Sequence, residues 1–210
     1  MAGRLVTFDG AGGVGKSTTA NATVDHLQSS GISVYSARQP STTALGSYVR
    51  AHADTYTGMT LACLVAADRH HQQATEIDPQ LAAGKVVVCD RHLPSSLVLQ
   101  VLDGVPAEKV WQLNEGVRVP DVAVFLRADP ATISSRLTAR GAHDRFERDP
   151  VRSTAEQVKM FDDLARNLRA RGWPVHVIDC TDLRPHQIAA IVADLVVALL
   201  DEQTNEGTTA

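Results

Sequence analysis

Arg4-Leu5-Val6-Thr7-Phe8, followed by Asp9-Gly10-Ala11-Gly12-Gly13-Val14-Gly15-Lys16-Ser17-Thr18-Thr19-Ala20-Asn21, is the stretch that decides how this chain is read. The first five residues predict a short apolar strand, the glycine-rich run a loop, and the residues from about Gly15 onward a helix. Gly10 to Ser17 fits G-x-x-x-x-G-K-[ST], the phosphate-binding P-loop. Glycines let successive backbone N–H groups turn inward around a phosphate chain without Cβ clashes. The helix start adds the positive end of its dipole. Gly10, Ala11, Gly12, Gly13, Val14, Gly15, Lys16, Ser17 and Thr18 are therefore the expected cradle of a nucleoside triphosphate. Lys16 would reach the β- and γ-phosphates and the Ser17 hydroxyl a Mg²⁺ ion. A chance glycine-rich turn is the alternative; the place between strand and helix argues against it.

Working outward, the 210 residues predict one domain, with a sizeable core and no linker or internal repeat. A hydrophobic content of 44% and a charged content of 21% are ordinary for a globular protein. The net charge of -4 gives no reason to expect a nucleic-acid or anionic-membrane partner. The first apolar run feeds straight into the P-loop, so no signal peptide is expected, and no segment is long enough to span a membrane. Cys63, Cys89 and Cys180 sit in apolar or strand-like contexts without metal-ligand spacing, which predicts buried, reduced thiols in a cytoplasmic protein. The eight histidines show no zinc spacing and are expected at the surface or in packing.

Helical and strand patterns alternate to the C-terminus. Ala20, Val24 and Leu27 share a helical face that stops at Gly31. Ile32 to Ser36 predicts a second strand and Arg38 to Gly46 a loop. Thr60 to Ala83 predicts helix, interrupted near Asp78-Pro79. Lys85 to Cys89 is a continuous apolar strand of the kind covered on both faces in a parallel sheet, and two short helical pieces lie between Ser95 and Val117. Asp121 to Ala128 predicts a fourth strand, with Asp129-Pro130 capping the next helix. Ser153 to Glu156 reads as a capping box opening a helix that buries Val158, Phe161, Leu164 and Leu168. Val175 to Asp179 predicts a fifth strand. Ile188, Ile191, Val192, Leu195, Val196 and Leu199 form the stripe of a last helix, and Asp201 to Ala210 is expected to fray. This alternation predicts an α/β fold with a five-stranded parallel sheet, which binds ligands at the C-terminal strand ends.

At those strand ends the candidate chemistry converges. Asp90 follows Val86-Val87-Val88-Cys89, the placement of a Walker-B-type acid able to hold Mg²⁺ directly or through water; a helix-capping or salt-bridged Asp is the alternative. Arg38 and Arg91, with Arg69 on a helix, are candidates to clamp a second anion beside the nucleotide. Each alone reads as a surface ion-pair residue. Arg136, Arg140, Arg145 and Arg148, with Gly141 as a hinge, suit a flap that closes over a γ-phosphate, as against a solvated charged loop. An acceptor that is itself a phosphate needs no general base.

These residues resemble the thymidylate kinase family of nucleoside-monophosphate kinases, from Arg4 to about Leu200. The matching pieces are Phe8–Thr18, Ala37–Gly46 (against the family's TREPGGTPLG), Ala66–Arg69, Leu81–Gln100, Pro120–Pro130, Arg136–Glu147 and Ile178–Asp182. The resemblance implies a three-layer P-loop kinase fold with a short arginine-rich lid at about 140–150, ahead of a flexible tail at 201–210. It implies that ATP, with Mg²⁺, phosphorylates a nucleoside monophosphate, most simply dTMP, to the diphosphate. Arg38, Arg69 and Arg91 match acceptor-binding positions, Ser96 a base-contacting position, Arg136, Arg140 and Arg145 the lid, and Asp179–Thr181, with Cys180, the adenine loop. Lys16, Arg91, Arg140 and Arg145 are the catalytic set that it implies, and Ser17, Asp90 and Asp9 the metal set. The P-loop has no arginine, as in the subclass whose catalytic arginine comes from the lid. The family is typically homodimeric.

The departures fall on the acceptor side. Gly12 stands where the family carries an acid directed at the acceptor sugar, Val65 where a Phe stacks on thymine, and Leu99 where a Tyr packs under deoxyribose; Gln39-Pro40-Ser41-Thr42 replaces Glu-Pro-Gly-Gly. They allow a compensated thymidylate kinase or a kinase of another or modified nucleotide. A P-loop kinase of some other phosphorylated metabolite is a further alternative. A ParA-like ATPase switch is suggested by GGVGKSTTAN, but that family's signature lysine would stand at Ala11 and an acidic D-x-D element should follow the second strand, where this chain has Ser36-Ala37-Arg38.

Overall fold

The computed structural model describes residues 3–141, 146 and 150–207. Five parallel strands form one sheet: β1 (Arg4–Gly10), β2 (Val34–Arg38), β3 (Val86–Asp90), β4 (Val122–Arg127) and β5 (Val175–Asp179), in the order β2-β3-β1-β4-β5. β1 pairs with β3 on one side and β4 on the other, with Phe8 opposite Asp90 and Val124. The order reverses around β1, so a crevice opens at its C-terminal end, where the P-loop begins. β3 explains its own sequence. Val86 and Val88 face one core layer with Val6 and Phe8, while Val87 and Cys89 face the opposite layer with Leu5, Ile77 and Leu81. Burial on both faces requires an uninterrupted apolar run.

Helices cover both faces: α1 (Lys16–Ser29), α2 (Ala44–Ala51), α3 (Gly58–Gln72), α4 (Asp78–Ala82), α5 (Leu93–Leu102), α6 (Ala107–Leu113), α7 (Pro130–Arg140), α8 (Pro150–Ala170) and α9 (Pro185–Gly207). α1 ends as expected before Gly31, whose φ of 79° is left-handed. The strands lie where the patterns put them, with β2 shifted two residues toward the C-terminus.

Several expectations are corrected. The Arg38–Gly46 loop runs into the unexpected helix α2. Thr43 caps it by accepting from the Gly46 amide at 3.3 Å, and a Cβ on Gly46 would sit 2.3 Å from the Ser41 carbonyl oxygen. The helix thus needs the glycine that disguised it as a loop. The expected break near Asp78-Pro79 is a π-helical turn, Gln73–Ile77, in which the Asp78 amide bonds to Gln73. This widening lets the chain stay helical through a proline, which lacks a donor. α8 starts at Pro150, so Ser153–Glu156 lies inside the helix rather than capping it. In α9 the buried row is Ile188, Ala189, Val192, Ala193 and Val196; Ile191 is exposed. That helix also continues to Gly207, into the expected tail. Cys89 and Cys180 are buried, but Cys63 lies exposed on α3.

Candidate active site

One continuous cavity of about 1040 Å³ opens at the C-terminal ends of the strands. At one end lies the P-loop, contributing Gly13 to Thr19, with Arg136, Cys180 and Ile188 beyond it; at the other lie Arg38, Gln39, Arg50, Val65, Arg69, Arg91, Ser96 and Leu99. The sequence candidates from seven elements therefore converge on one space.

The P-loop turns on Gly13 and Gly15, with φ of 78° and 111°. Gly13 is also needed for packing, since a Cβ there would lie 2.6 Å from the Leu137 side chain of α7. Lys16 is 5% exposed, and its ammonium donates to the carbonyls of Gly10 and Ala11 at 2.9 and 2.7 Å. Val14 offers its carbonyl to Arg136 at 3.2 Å and to the Cys180 thiol at 3.6 Å. Burial pushes that thiol's pKa up, with Arg136 opposing. Gly10, Ala11 and Gly12, expected in the cradle, are buried behind it and do not line the cavity. The phosphate-facing arc begins at Gly13.

Ser17 Oγ donates to Asp90 Oδ2 at 2.5 Å, while Asp90 Oδ1 is buried without a partner. A hydroxyl beside a carboxylate with spare acceptor capacity is a hard-oxygen donor set suited to Mg²⁺. Among the described residues no group of three His, Cys, Asp or Glu side chains could hold a metal ion. Asp9, expected in the metal set, does not line the cavity, and its Oδ2 is buried without a partner. It is fully buried, and its Oδ1 accepts from the His92 amide (3.1 Å), the Ser95 amide (2.9 Å) and the Ser95 hydroxyl (2.6 Å), which caps the N-terminus of α5. Burial raises its pKa above the usual carboxylate value, against those hydrogen bonds and the charges of Arg91 and Lys16.

At the acceptor end, Arg91 follows Asp90 with φ of 70°, a left-handed conformation that a non-glycine residue adopts at a cost of order 1 kcal/mol. Its amide is fixed by the Phe8 carbonyl at 2.9 Å. Arg69 is 2% exposed, and its guanidinium reaches Gln39 Oε1 (2.7 Å), Asn114 Oδ1, Ser96 Oγ (2.6 Å) and the His92 carbonyl (3.5 Å). All four acceptors are neutral, and burial lowers the pKa of Arg69 to about 10, which leaves it charged at neutral pH. Ser96, expected to contact a base, spends its hydroxyl on this guanidinium. The loop before α2 hangs on buried Asp68, which accepts from the Ser41 amide and hydroxyl, each at 2.6 Å.

Arg140 closes α7, but its side chain and the whole of Arg145 and Arg148 lie outside the described residues. Sequence reading missed Arg50 and Asn114, and marked Gln39 only as a departure from the family pattern. Arg50 of α2 lines the cavity, and donates to the carbonyls of Pro40 and Ser41 at 2.6 Å each; burial and the nearby Arg38 charge lower its pKa. Asn114 and Gln39 hold Arg69. Arg50 was hidden with its helix, and nothing local marks Asn114, whose partner is 45 positions away.

The thymidylate kinase family model matches residues 8–180 of the chain. This chain belongs to the thymidylate kinase family. It is 35% identical to a probable thymidylate kinase of Caldivirga maquilingensis over 81% of its own length and 83% of the relative's. It is 30% identical to the thymidylate kinase of Xanthomonas oryzae pv. oryzae over 99% and 89%, and 33% identical to that of Caldicellulosiruptor saccharolyticus over 82% and 90%. Family membership makes it a nucleoside-monophosphate kinase. No helix of the described residues is long and apolar enough to cross a membrane.

Proposed function

We propose that the protein transfers the γ-phosphoryl group of ATP to dTMP, giving ADP and dTDP. The observation that carries this reading is the single cavity that has a P-loop at one end and Arg38, Arg50, Arg69 and Arg91 at the other. Two anionic nucleotides entering from opposite ends would meet between Lys16 and Arg91. The acceptor phosphate oxygen attacks the γ-phosphorus as the bond to the β-γ bridging oxygen breaks, and ADP leaves. The acceptor oxygen is already ionised, so no general base is needed. Lys16 would exchange its two carbonyl partners for β- and γ-oxygens, and the P-loop amides from Gly13 onward would hold the same phosphates. Ser17 and Asp90 would hold Mg²⁺, which supplies charge neutralisation at the phosphates when bound. Arg140 and Arg145 would add positive charge from the lid, Arg136 and Cys180 the wall beside adenine. A homodimer and a cytoplasmic location are part of the same reading and rest on the family.

One observation favours a second acceptor. Val65 and Leu99, both half-buried, give the acceptor end aliphatic walls where the family stacks aromatic rings. The test is ADP release with Mg²⁺-ATP and a panel of acceptors: the monophosphates of thymidine, deoxyuridine, deoxycytidine, uridine, cytidine and the purine nucleosides, with an acceptor-free control. Dominant turnover of dTMP supports the reading. Dominant turnover of another monophosphate reassigns the acceptor, and turnover without any acceptor overturns the kinase reading.

A further inference from the structure

We propose that Gln157 is a positioning residue of the phosphate site, holding the P-loop and the chain at Phe146 in one fixed relation. Gln157 lies on α8, outside every motif assigned to the site, and is 3% exposed. Its Oε1 accepts from the Gly12 amide at 3.0 Å, across 145 positions of sequence, and its Nε2 donates to the Phe146 carbonyl at 2.9 Å. Both groups of one amide are therefore spent on two backbone atoms. One belongs to the loop that would cradle the triphosphate; the other belongs to a residue lining the same cavity. The two bonds also fix the orientation of the amide, because exchanging oxygen and nitrogen would face donor with donor and acceptor with acceptor.

The consequence for the P-loop is specific. Gly12 N–H, which would otherwise compete for phosphate or be left unsatisfied in a buried position, is capped by protein, and the cradle starts one residue later at Gly13. The loop is then pinned at three successive places: by Lys16 at the carbonyls of Gly10 and Ala11, by Gln157 at the amide of Gly12, and by Arg136 at the carbonyl of Val14. Gln157 accepts with a neutral amide oxygen, so it fixes the Gly12 amide without the negative charge that a carboxylate would place beside the phosphates. A loop held in its binding shape before ATP arrives pays less ordering entropy on binding.

This inference rests on the reading of the cavity as an ATP-dependent kinase site. Gln157→Met keeps side-chain length and removes both bonds. In the ADP-release assay it is expected to raise the KM for ATP about tenfold and lower kcat, with the KM for the acceptor within about twofold of wild type and folding intact by circular dichroism. Wild-type KM for ATP and kcat in the folded variant would overturn the proposal, as would a loss of thermal stability with unchanged constants. Gln157→Glu keeps the acceptor for Gly12, and offers the donor to Phe146 only when protonated. Its kcat/KM for ATP, relative to wild type, is expected to fall between pH 6 and pH 8.5. A ratio that stays at one across this range overturns the proposal even if the Met variant fails to fold. Should wild type release no ADP with any acceptor, the functional reading fails, and equilibrium dialysis of Mg²⁺-ATP against wild type and Gln157→Met still decides the role of Gln157. Equal dissociation constants would overturn it.

Discussion

Restoring an aromatic ring at Val65 should tighten the acceptor site. α3 presents Leu61, Val65 and Arg69 to the cavity at i, i+4 and i+8, so each is about 6 Å further along one helical edge. Val65 is half-buried on that edge, and Leu99 of α5 lines the same end of the cavity. A Phe at 65 has open space to enter, one turn from the Arg69 guanidinium. Base–aromatic stacking is worth about 1–3 kcal/mol per base. Part of this is offset by ordering the new side chain, about 0.5–1 kcal/mol. A net gain of about 1–2 kcal/mol corresponds to a fall in KM for dTMP of about 5- to 30-fold. The assay is ADP release at saturating Mg²⁺-ATP with dTMP varied, for wild type and Val65→Phe. Because the predicted effect is a gain, partial misfolding cannot mimic it. An unchanged or raised KM for dTMP, with the KM for ATP unaltered, would refute the placement of the base between α3 and α5.

Lys16→Ala should abolish transfer, by more than about a thousandfold in kcat, while the melting temperature stays within a few degrees, since the carbonyls of Gly10 and Ala11 that it leaves can be satisfied by water; near-wild-type turnover would remove Lys16 from the phosphate site. Asp9→Asn keeps the oxygen that accepts from His92 and Ser95. Because burial raises the Asp9 pKa in the fold, its ionised form contributes less stability as pH rises through the folded value, so the variant should melt at or above the wild-type temperature at pH 7.5; a clear loss would show that the charge stabilises the fold. His92 is buried, and burial, reinforced by Arg69, lowers its pKa from 6.5 to about 3. The unfolded chain therefore takes up a proton below pH 6.5 that the folded chain refuses, and stability falls toward acid by up to about 1.4 kcal/mol per pH unit between those values. Gln substituted at His92 should flatten the decline of melting temperature from pH 6.5 to 4.5, and parallel declines would refute the assignment.

The parts of this fold legible in the sequence are those whose cause is local. The P-loop announces itself because each residue's role is set by its neighbours along the chain, and β3 because burial on both faces forces four apolar residues in succession. α2 was illegible because its glycine is there for a contact with Ser41 and not for a turn, and helix and loop predict the same residue. The π-helical turn hides for a similar reason: Pro79 reads as a break, and only the widened turn before it shows how the helix passes through. At the site, Arg38, Arg69 and Arg91 were found as cations after strands or within a motif. Asn114, Arg50 and Gln157 hold those elements in place from distant stretches, and an amide's partner 145 positions away leaves no trace in either segment. Asp9 shows the reverse case. The resemblance put it in the metal set, and what no sequence shows is that three donors at the start of α5 claim its Oδ1 while Oδ2 is buried without a partner.

The apo arrangement of charges also bears on how the site accepts its substrates. Lys16 is nearly inaccessible, and an unpaired buried ammonium would cost several kcal/mol; two carbonyls of its own loop hold it until phosphate arrives. Ser17 and Asp90 hold each other in the same way. Binding of Mg²⁺-ATP at the proposed site would therefore be an exchange of partners at atoms already in position. Arg69 behaves differently, because its four neutral acceptors are a permanent frame from β2, α5 and α6 rather than placeholders. Its charge is balanced at a distance by Asp9 and Asp68. In the proposed reading it would be a fixed positive wall at the acceptor end, whereas Arg38, more exposed and with a guanidinium close enough to Arg50 to depress the pKa of the latter, would belong to the part of the site where an incoming phosphate relieves repulsion between two cations. That relief would favour an acceptor whose negative charge is concentrated in a phosphate, independently of the base it carries. The two halves of recognition would then be separate: the arginines would select a monophosphate, and the walls made by Val65 and Leu99 which one.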